Sequence, residues 1–462
     1  MKYEIDMTRG PLFGKIFRFT VPVLLTNLLQ LLYNAADIAV VGQFVNSNAV
    51  GAIGATSSLN NMMLNLFIGI GIGVNVVTAQ LIGAGRKKEV SSMIATSVWM
   101  ALIGGLLLTV VGWFFSGTFL SWMNTPPELI EDSTLYLKIF FLGAPASLIY
   151  NFLAAVLRAY GDTKRPLLFL MLSGMVNVGL NVVFVYFFRM AVDGVAYATI
   201  ISQYLSAGLV LVTLLRMKDY CRLDRKQWKP DLQKAVAALK VGVPAGLYSI
   251  MFSIANVTIQ SAANSFESAA VVNGLSAGTT IESFVYTAIN SISVATISFV
   301  GQNMGARDLS RIRQSVRLSL YLALGTWAIC CVIYFLFRHV FFGILLPGDE
   351  VAIRYGYTKG NNLILGYGLI TFMEILNAAL RGLNRQVTSM FCSIFFCCIP
   401  RLLWVFFVFY PTVPLLNDVN QSIFLLFLVY PVSFVLTSSV LFWIYRRTFK
   451  TLTREFDTEA VG

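Results

Sequence analysis

The sequence predicts an all-α integral membrane protein, with twelve transmembrane helices in two six-helix bundles related by a pseudo-two-fold along the membrane normal. Three observations predict it: composition, alternation of charge between the connections, and an internal repeat. Of 462 residues, 57% are hydrophobic and only 12% charged. Mean hydropathy is +0.73. A soluble globular chain carries about 25% charged residues. With 36 phenylalanines as well, this much apolar surface needs lipid as its solvent.

A span takes roughly 20 residues at about 1.5 Å rise each. Apolar segments of that length fall near residues 14–42, 50–82, 92–116, 134–157, 166–188, 193–216, 236–262, 270–300, 315–338, 355–381, 388–410 and 420–446. The segment before them, MKYEIDMTRGPLFGKIFRF, is polar and mixed in charge. The apolar stretch that follows is too long for a signal-peptide core and lacks a small-residue cleavage site, so it reads as an uncleaved first span.

Lys and Arg collect in alternate connections, as expected of loops held in the cytoplasm. The rich set begins with the arm (Lys2, Arg9, Lys15, Arg18) and continues with Arg86, Lys87 and Lys88, then Arg158, Lys164 and Arg165. It goes on through 216–234, then Arg307, Arg311, Arg313 and Arg317, then Arg381 and Arg385, and ends with Arg446, Arg447, Lys450 and Arg454. The connections at 45–49, 116–133 and 411–421 have none; Glu267 belongs to this outer set. Arg189, Arg338, Arg354 and Lys359 are exceptions. An even span number with both ends in the cytoplasm follows. The net charge of +12 is thereby explained without nucleic acid, since the basic residues form short clusters and no continuous stripe.

The chain repeats itself. Pro22 recurs as Pro244, 222 residues on, and Gln80-x-x-Gly83-Ala84 recurs as Gln302-x-x-Gly305-Ala306 at the same offset. Leu157-Arg158 recurs as Leu380-Arg381 at offset 223. Six spans per half return the chain to its starting side, giving a parallel repeat whose halves can rock around a cleft. The predicted organisation is a first bundle over 1–220, a cytoplasmic linker over 221–235, a second bundle over 236–450 and a cytoplasmic tail over 451–462.

Charges inside spans are expensive, so each is a functional candidate. Asp37 stands out, in LLYNAADIAVVG. Apolar surroundings disfavour the charged carboxylate, so a group here can exchange a proton or hold Na⁺ at physiological pH. The alternative is a carboxylate that caps or pairs at a helix end. Asn177 and Asn181, four residues apart, share one helix face, and Thr199 lies on the next span. These oxygens can bond Asp37 or ligate Na⁺, or simply join helices. Glu282, in GTTIESFVYTA, and Glu374, in ITFMEILNAAL, could bind a cation, or pair with Arg381 or Arg401. Pro22 and Pro244 remove backbone donors inside spans and permit bends.

Enzyme signatures such as HExxH and GxSxG are absent, and a single histidine disfavours His-based chemistry. The six cysteines form no CxxC pair, so neither a disulfide framework nor a structural metal site is expected. No nucleotide motif or resident cofactor is expected; LFIGIGIGVN lacks a following GKS or GKT and reads as helix packing.

Several stretches together resemble the MATE (multidrug and toxic compound extrusion) family of the MOP superfamily: PVLLTNLLQLLYNAADIAVVGQ, TAQLIGAG, LRAYGDTKRP, NVGLNVVFVYFF followed by GVAYAT, and FVGQNMGA. The resemblance covers nearly the whole chain and looks closest to the DinF-like bacterial branch. It implies a monomeric, two-lobed antiporter of the cytoplasmic membrane, exporting cationic or amphipathic small molecules against inward H⁺ or Na⁺. It also implies a cation site at Asp37, Asn177 and Thr199, with transient Na⁺ at Asp37 as one option. The family often has a second aspartate where this sequence has Asn181, and an amide cannot exchange a proton. The acids of the NorM-like branch have no clear counterpart here; Glu282 and Glu374 are near candidates. A flippase of lipid-linked oligosaccharide or another lipid, from the same superfamily, is the alternative. It would favour basic mid-span residues, of which the sequence shows few. An integral-membrane enzyme or receptor is the third reading.

Overall fold

A computed structural model describes residues 4–44, 47–123, 125–224, 228–266, 268–416 and 418–461. Lys2, Glu267 and parts of the connections at 45–49 and 221–235 lie outside these ranges. The described residues are almost wholly helical. Among them, eleven helices are long and apolar enough to cross a membrane, or twelve with one bent pair counted as a single span.

The chain divides into two compact units. The first comprises residues 1–7 and 21–246. It holds most of α1 (Leu12–Phe44), then α2 (Ser47–Gly83), α3 (Lys87–Trp122), α4 (Pro127–Leu142), α5 (Ala144–Tyr160), α6 (Lys164–Val182), α7 (Val192–Arg216) and the start of α8 (Leu232–Asn264). The second comprises residues 8–20 and 247–462. It holds the first turns of α1, the rest of α8, then α9 (Ala269–Gly305), α10 (Leu309–Leu345), α11 (Glu350–Gly382), α12 (Gln386–Leu415) and α13 (Val419–Val461). Thus α1 passes from one unit to the other beside Pro22, and α8 does so just after Pro244. The boundary runs inside two helices, where an apolar pattern carries no mark of it.

In the first unit the predicted span at 134–157 is a pair, α4 and α5, bent by 47°. Gly143 makes the break and Pro145 starts α5, where its missing donor costs nothing. Gly105 of α3 lies so close to Pro145 that a side chain has no room there, and Gly112 meets Phe141 in the same way. Small residues let these backbones approach. The linker is pinned to this unit rather than strung freely. The Trp99 indole donates to the Trp228 carbonyl at 2.8 Å, and the Asp231 amide donates to Thr96 Oγ1 at 2.9 Å.

In the second unit α11 is the most enclosed helix, with 83% of its apolar window buried, and α10 the least, with 17%. Gly274 and Gly356 bring α9 and α11 into backbone contact. The start of α1 joins here, Phe19 meeting Phe299 edge-to-face at 5.9 Å. Helix α12 is irregular, with π-turns over Ile394–Cys398 and Val405–Phe409.

The repeat appears in the turns. After α2, Gly85 takes a positive φ of 70°, and Arg86 N donates to Leu81 O at 3.0 Å. After α9, Arg307 takes a φ of 59°, and Asp308 N donates to Asn303 O at 3.0 Å. These are the same left-handed helix ending. Gly161 after α5 and Asn384 after α11 form a second such pair, with φ of 94° and 60°.

Candidate functional site: a polar chain on Asp37

Helix α6 carries Asn177 and Asn181 one turn apart, and the fold turns both inward; they are 5% and 0% exposed. Helix α1 brings Asp37 against them. Asn181 Nδ2 donates to Asp37 Oδ1 at 2.6 Å and lies 3.3 Å from Asn177 Oδ1. Asn177 Nδ2 donates in turn to Thr199 Oγ1 of α7 at 3.4 Å. The Thr199 hydroxyl donates to the Val195 carbonyl at 2.9 Å. All four residues singled out in the sequence therefore form one hydrogen-bonded chain across three helices. It lies within the first unit.

Two features give this chain chemical use. Among the described residues, no Lys or Arg pairs with Asp37, whose bonded neighbour is an amide. Asn181 Oδ1 is buried without a hydrogen-bond partner. A carboxylate beside an unsatisfied amide oxygen offers the all-oxygen surroundings that Na⁺ accepts. The same pair suits a proton, since a neutral carboxyl gains a donor that an amide oxygen can accept. Tyr33, one turn before Asp37 on α1, donates to the Leu170 carbonyl of α6 at 2.9 Å, fixing one helix on the other.

The two acids of the second unit are placed differently. Glu282 lies 3.8 Å from Lys359 Nζ and accepts from the Tyr367 hydroxyl. Lys359 also donates to the Leu275 carbonyl at 3.1 Å and to Thr279 Oγ1. Lys359 is only 3% exposed. The sequence pattern placed it among outer-connection exceptions; the structure places it inside α11. Glu374 is 2% exposed and lies seven positions before Arg381 on α11, but among the described residues no ion pair joins the two, and Arg381 Nε is buried without a hydrogen-bond partner. Glu282 thus takes a lysine rather than one of the arginines that the sequence suggested.

Arg401 of α12 is completely buried. Together with Lys359 and Arg381 it makes three enclosed cations in a region where the sequence showed few at mid-span. The signal was present, in that Arg401 interrupts the apolar run CCIPRLLWVFF, but burial could not be told from a helix end. All six cysteines are free.

Comparison with known proteins agrees with this architecture. A family profile described as MatE matches residues 22–183 and 244–403, starting at Pro22 and again at its repeat partner Pro244. The probable multidrug resistance protein YoeA of Bacillus subtilis (strain 168) is 27% identical over 392 residues, which cover 82% of each chain. The probable multidrug resistance protein NorM of Thermotoga maritima is 25% identical over 385 residues, 81% of each chain. A crystal structure described as MATE in the bent conformation superposes with a TM-score of 0.88 at 21% identity, over 97% of this chain and 98% of the other, and so shares the fold. With the profile matching both halves of the repeat, and Asp37, Asn177 and Asn181 all inside its first match, the chain belongs to the MATE family.

Proposed function

We propose that the protein is a secondary active multidrug exporter, moving cationic or amphipathic small molecules out of the cell by antiport with H⁺ or Na⁺ through alternating access. Its place is the bacterial cytoplasmic membrane, as a multi-pass monomer with both termini in the cytoplasm, and its work is transport rather than catalysis. The relatives described as multidrug resistance proteins support the substrate class. The observation that carries the coupling is the chain from Asp37 through Asn181 and Asn177 to Thr199, with its unsatisfied buried amide oxygen.

Empty, the Asp37 carboxylate accepts from Asn181. A proton or Na⁺ arriving there cancels its charge and makes the amide oxygen useful. Pro22 lies on the same helix, so a change of charge at Asp37 can be relieved by bending α1, where proline has already removed one backbone bond. One charge moving down 100 mV supplies about 2.3 kcal/mol, enough for a gradient of roughly fifty-fold. The alternative of a lipid-linked flippase draws support only from the buried cations of the second unit, and one of those three, Lys359, already has an acid beside it.

The test is dye export from energised vesicles, with proton and sodium gradients imposed separately. The wild-type protein should export under at least one of them, and Asp37→Asn should abolish driven export while remaining in the membrane. Full export by Asp37→Asn refutes the coupling role.

A further inference from the structure

We infer that the second unit holds a binding site for an anionic group, a carboxylate or phosphate on an aromatic or amphipathic molecule, organised by Arg401. Its guanidinium is fully enclosed. Nε donates to Ser433 Oγ at 3.3 Å and Nη1 to Asn256 Oδ1 at 3.0 Å, while Nη2 is buried with no acceptor. Among the described residues no carboxylate pairs with it, in contrast to Lys359, which has Glu282 at 3.8 Å. The Cys397 and Cys398 thiols of the same helix lie near it, and three ring faces stand against it, with Tyr430 at 4.2 Å, Phe252 at 4.9 Å and Phe434 at 5.1 Å from the guanidinium carbon.

An enclosed cation without a counter-anion is costly. Cation–π contacts offset part of that cost but leave the Nη2 protons unbonded. A guanidinium with a free edge is the side chain best matched to the two oxygens of a carboxylate or phosphate. The aromatic walls suit a flat apolar body attached to such a group.

The helix around Arg401 gives an independent indication. Arg401 follows Pro400 in the short regular stretch Ile399–Trp404, between the two π-turns of α12. π-turns inside helices recur at functional sites, where they allow a helix to shift its register. A segment held between two of them can turn its arginine toward an entering ligand. The site stands apart from the efflux reading; only the description of its ligand as transported cargo rests on that reading.

The experiment uses purified full-length protein and four probes with one naphthalene body: 1-naphthoate, 1-naphthyl phosphate, neutral 1-naphthamide and cationic 1-naphthylmethylammonium. Equilibrium dialysis should show saturable binding of at least one anion, tighter than the amide by about ten-fold or more, the scale of one charge-assisted hydrogen bond. Which anion binds distinguishes carboxylate from phosphate. Arg401→Met should remove the preference for the anion, and Arg401→Lys should reduce it. Equal binding of anion and amide by the wild-type protein overturns the site whether or not Arg401→Met folds, as does a folded Arg401→Met that keeps the preference. That result would leave Arg401 as a purely structural cation between rings. Export of a cationic dye from vesicles is measured on the same preparation. Driven export without anion preference overturns the site and leaves the efflux reading standing; anion preference without driven export does the reverse.

Discussion

The two units descend from one repeat but treat buried charge in opposite ways. In the first, Asp37 is bonded to the Asn181 amide in a chain that ends on the Thr199 hydroxyl, and the oxygen of that amide has no hydrogen-bond partner. In the second, Glu282 has Lys359 beside it. A carboxylate with a resident cation has its counter-charge built in. One without it must find its partner outside, as a proton or a metal ion. The repeat has therefore kept its backbone, visible in the matched left-handed turns at Gly85 and Arg307, while its charge chemistry has diverged.

This contrast can be broken by substitution. The largest effect expected is loss of driven export on Asp37→Asn, set against persistence of export on Glu282→Gln; vesicle assays of both variants side by side check it. Equal loss in both would erase the distinction. Next is Lys359→Met, which leaves the partly buried Glu282 without its cation and should cost at most about 3–5 kcal/mol, the range for fully buried broken pairs. Adding Glu282→Gln to Lys359→Met should recover most of that loss in a thermal unfolding measurement. No recovery would mean that the lysine works through its bonds to Leu275 and Thr279 instead.

Smaller effects sharpen the backbone side of the comparison. Gly161→Ala should destabilise more than Gly85→Ala. Both glycines have positive φ, which costs a side chain about 1–2 kcal/mol. A side chain at position 161 would also strike the backbone of Ile5, whereas position 85 faces open space. Unfolding midpoints in detergent rank the two. Smallest is Asp308→Ala: its carboxylate accepts from Arg311 N at 2.9 Å at the start of α10, and losing such a cap costs about 1 kcal/mol.

Much of this was legible along the chain. Apolar runs mark spans because lipid demands a continuous stretch of about 20 residues, and such runs need no tertiary information. Asn177 and Asn181 could be placed on one face because four residues make one helical turn. Asp37 was visible because a charge in an apolar run is rare. The bend at Gly143 was not legible, since Pro145 sits at a first turn where proline is equally at home in an uninterrupted start. The passage of α1 and α8 from one unit to the other was hidden as well.

Sequence alone determined the solvent of this protein, the number of its spans, the repeat, and the residue types facing one another near Asp37, because each depends on local composition or on helical period. Only the tertiary structure decided which charges are neutralised. Lys359 meets Glu282 across 77 positions of chain, and among the described residues Arg401 meets rings, an amide and a hydroxyl but no acid. Such pairings depend on how helices pack, and packing joins residues by distance in space, which their order in the chain does not record.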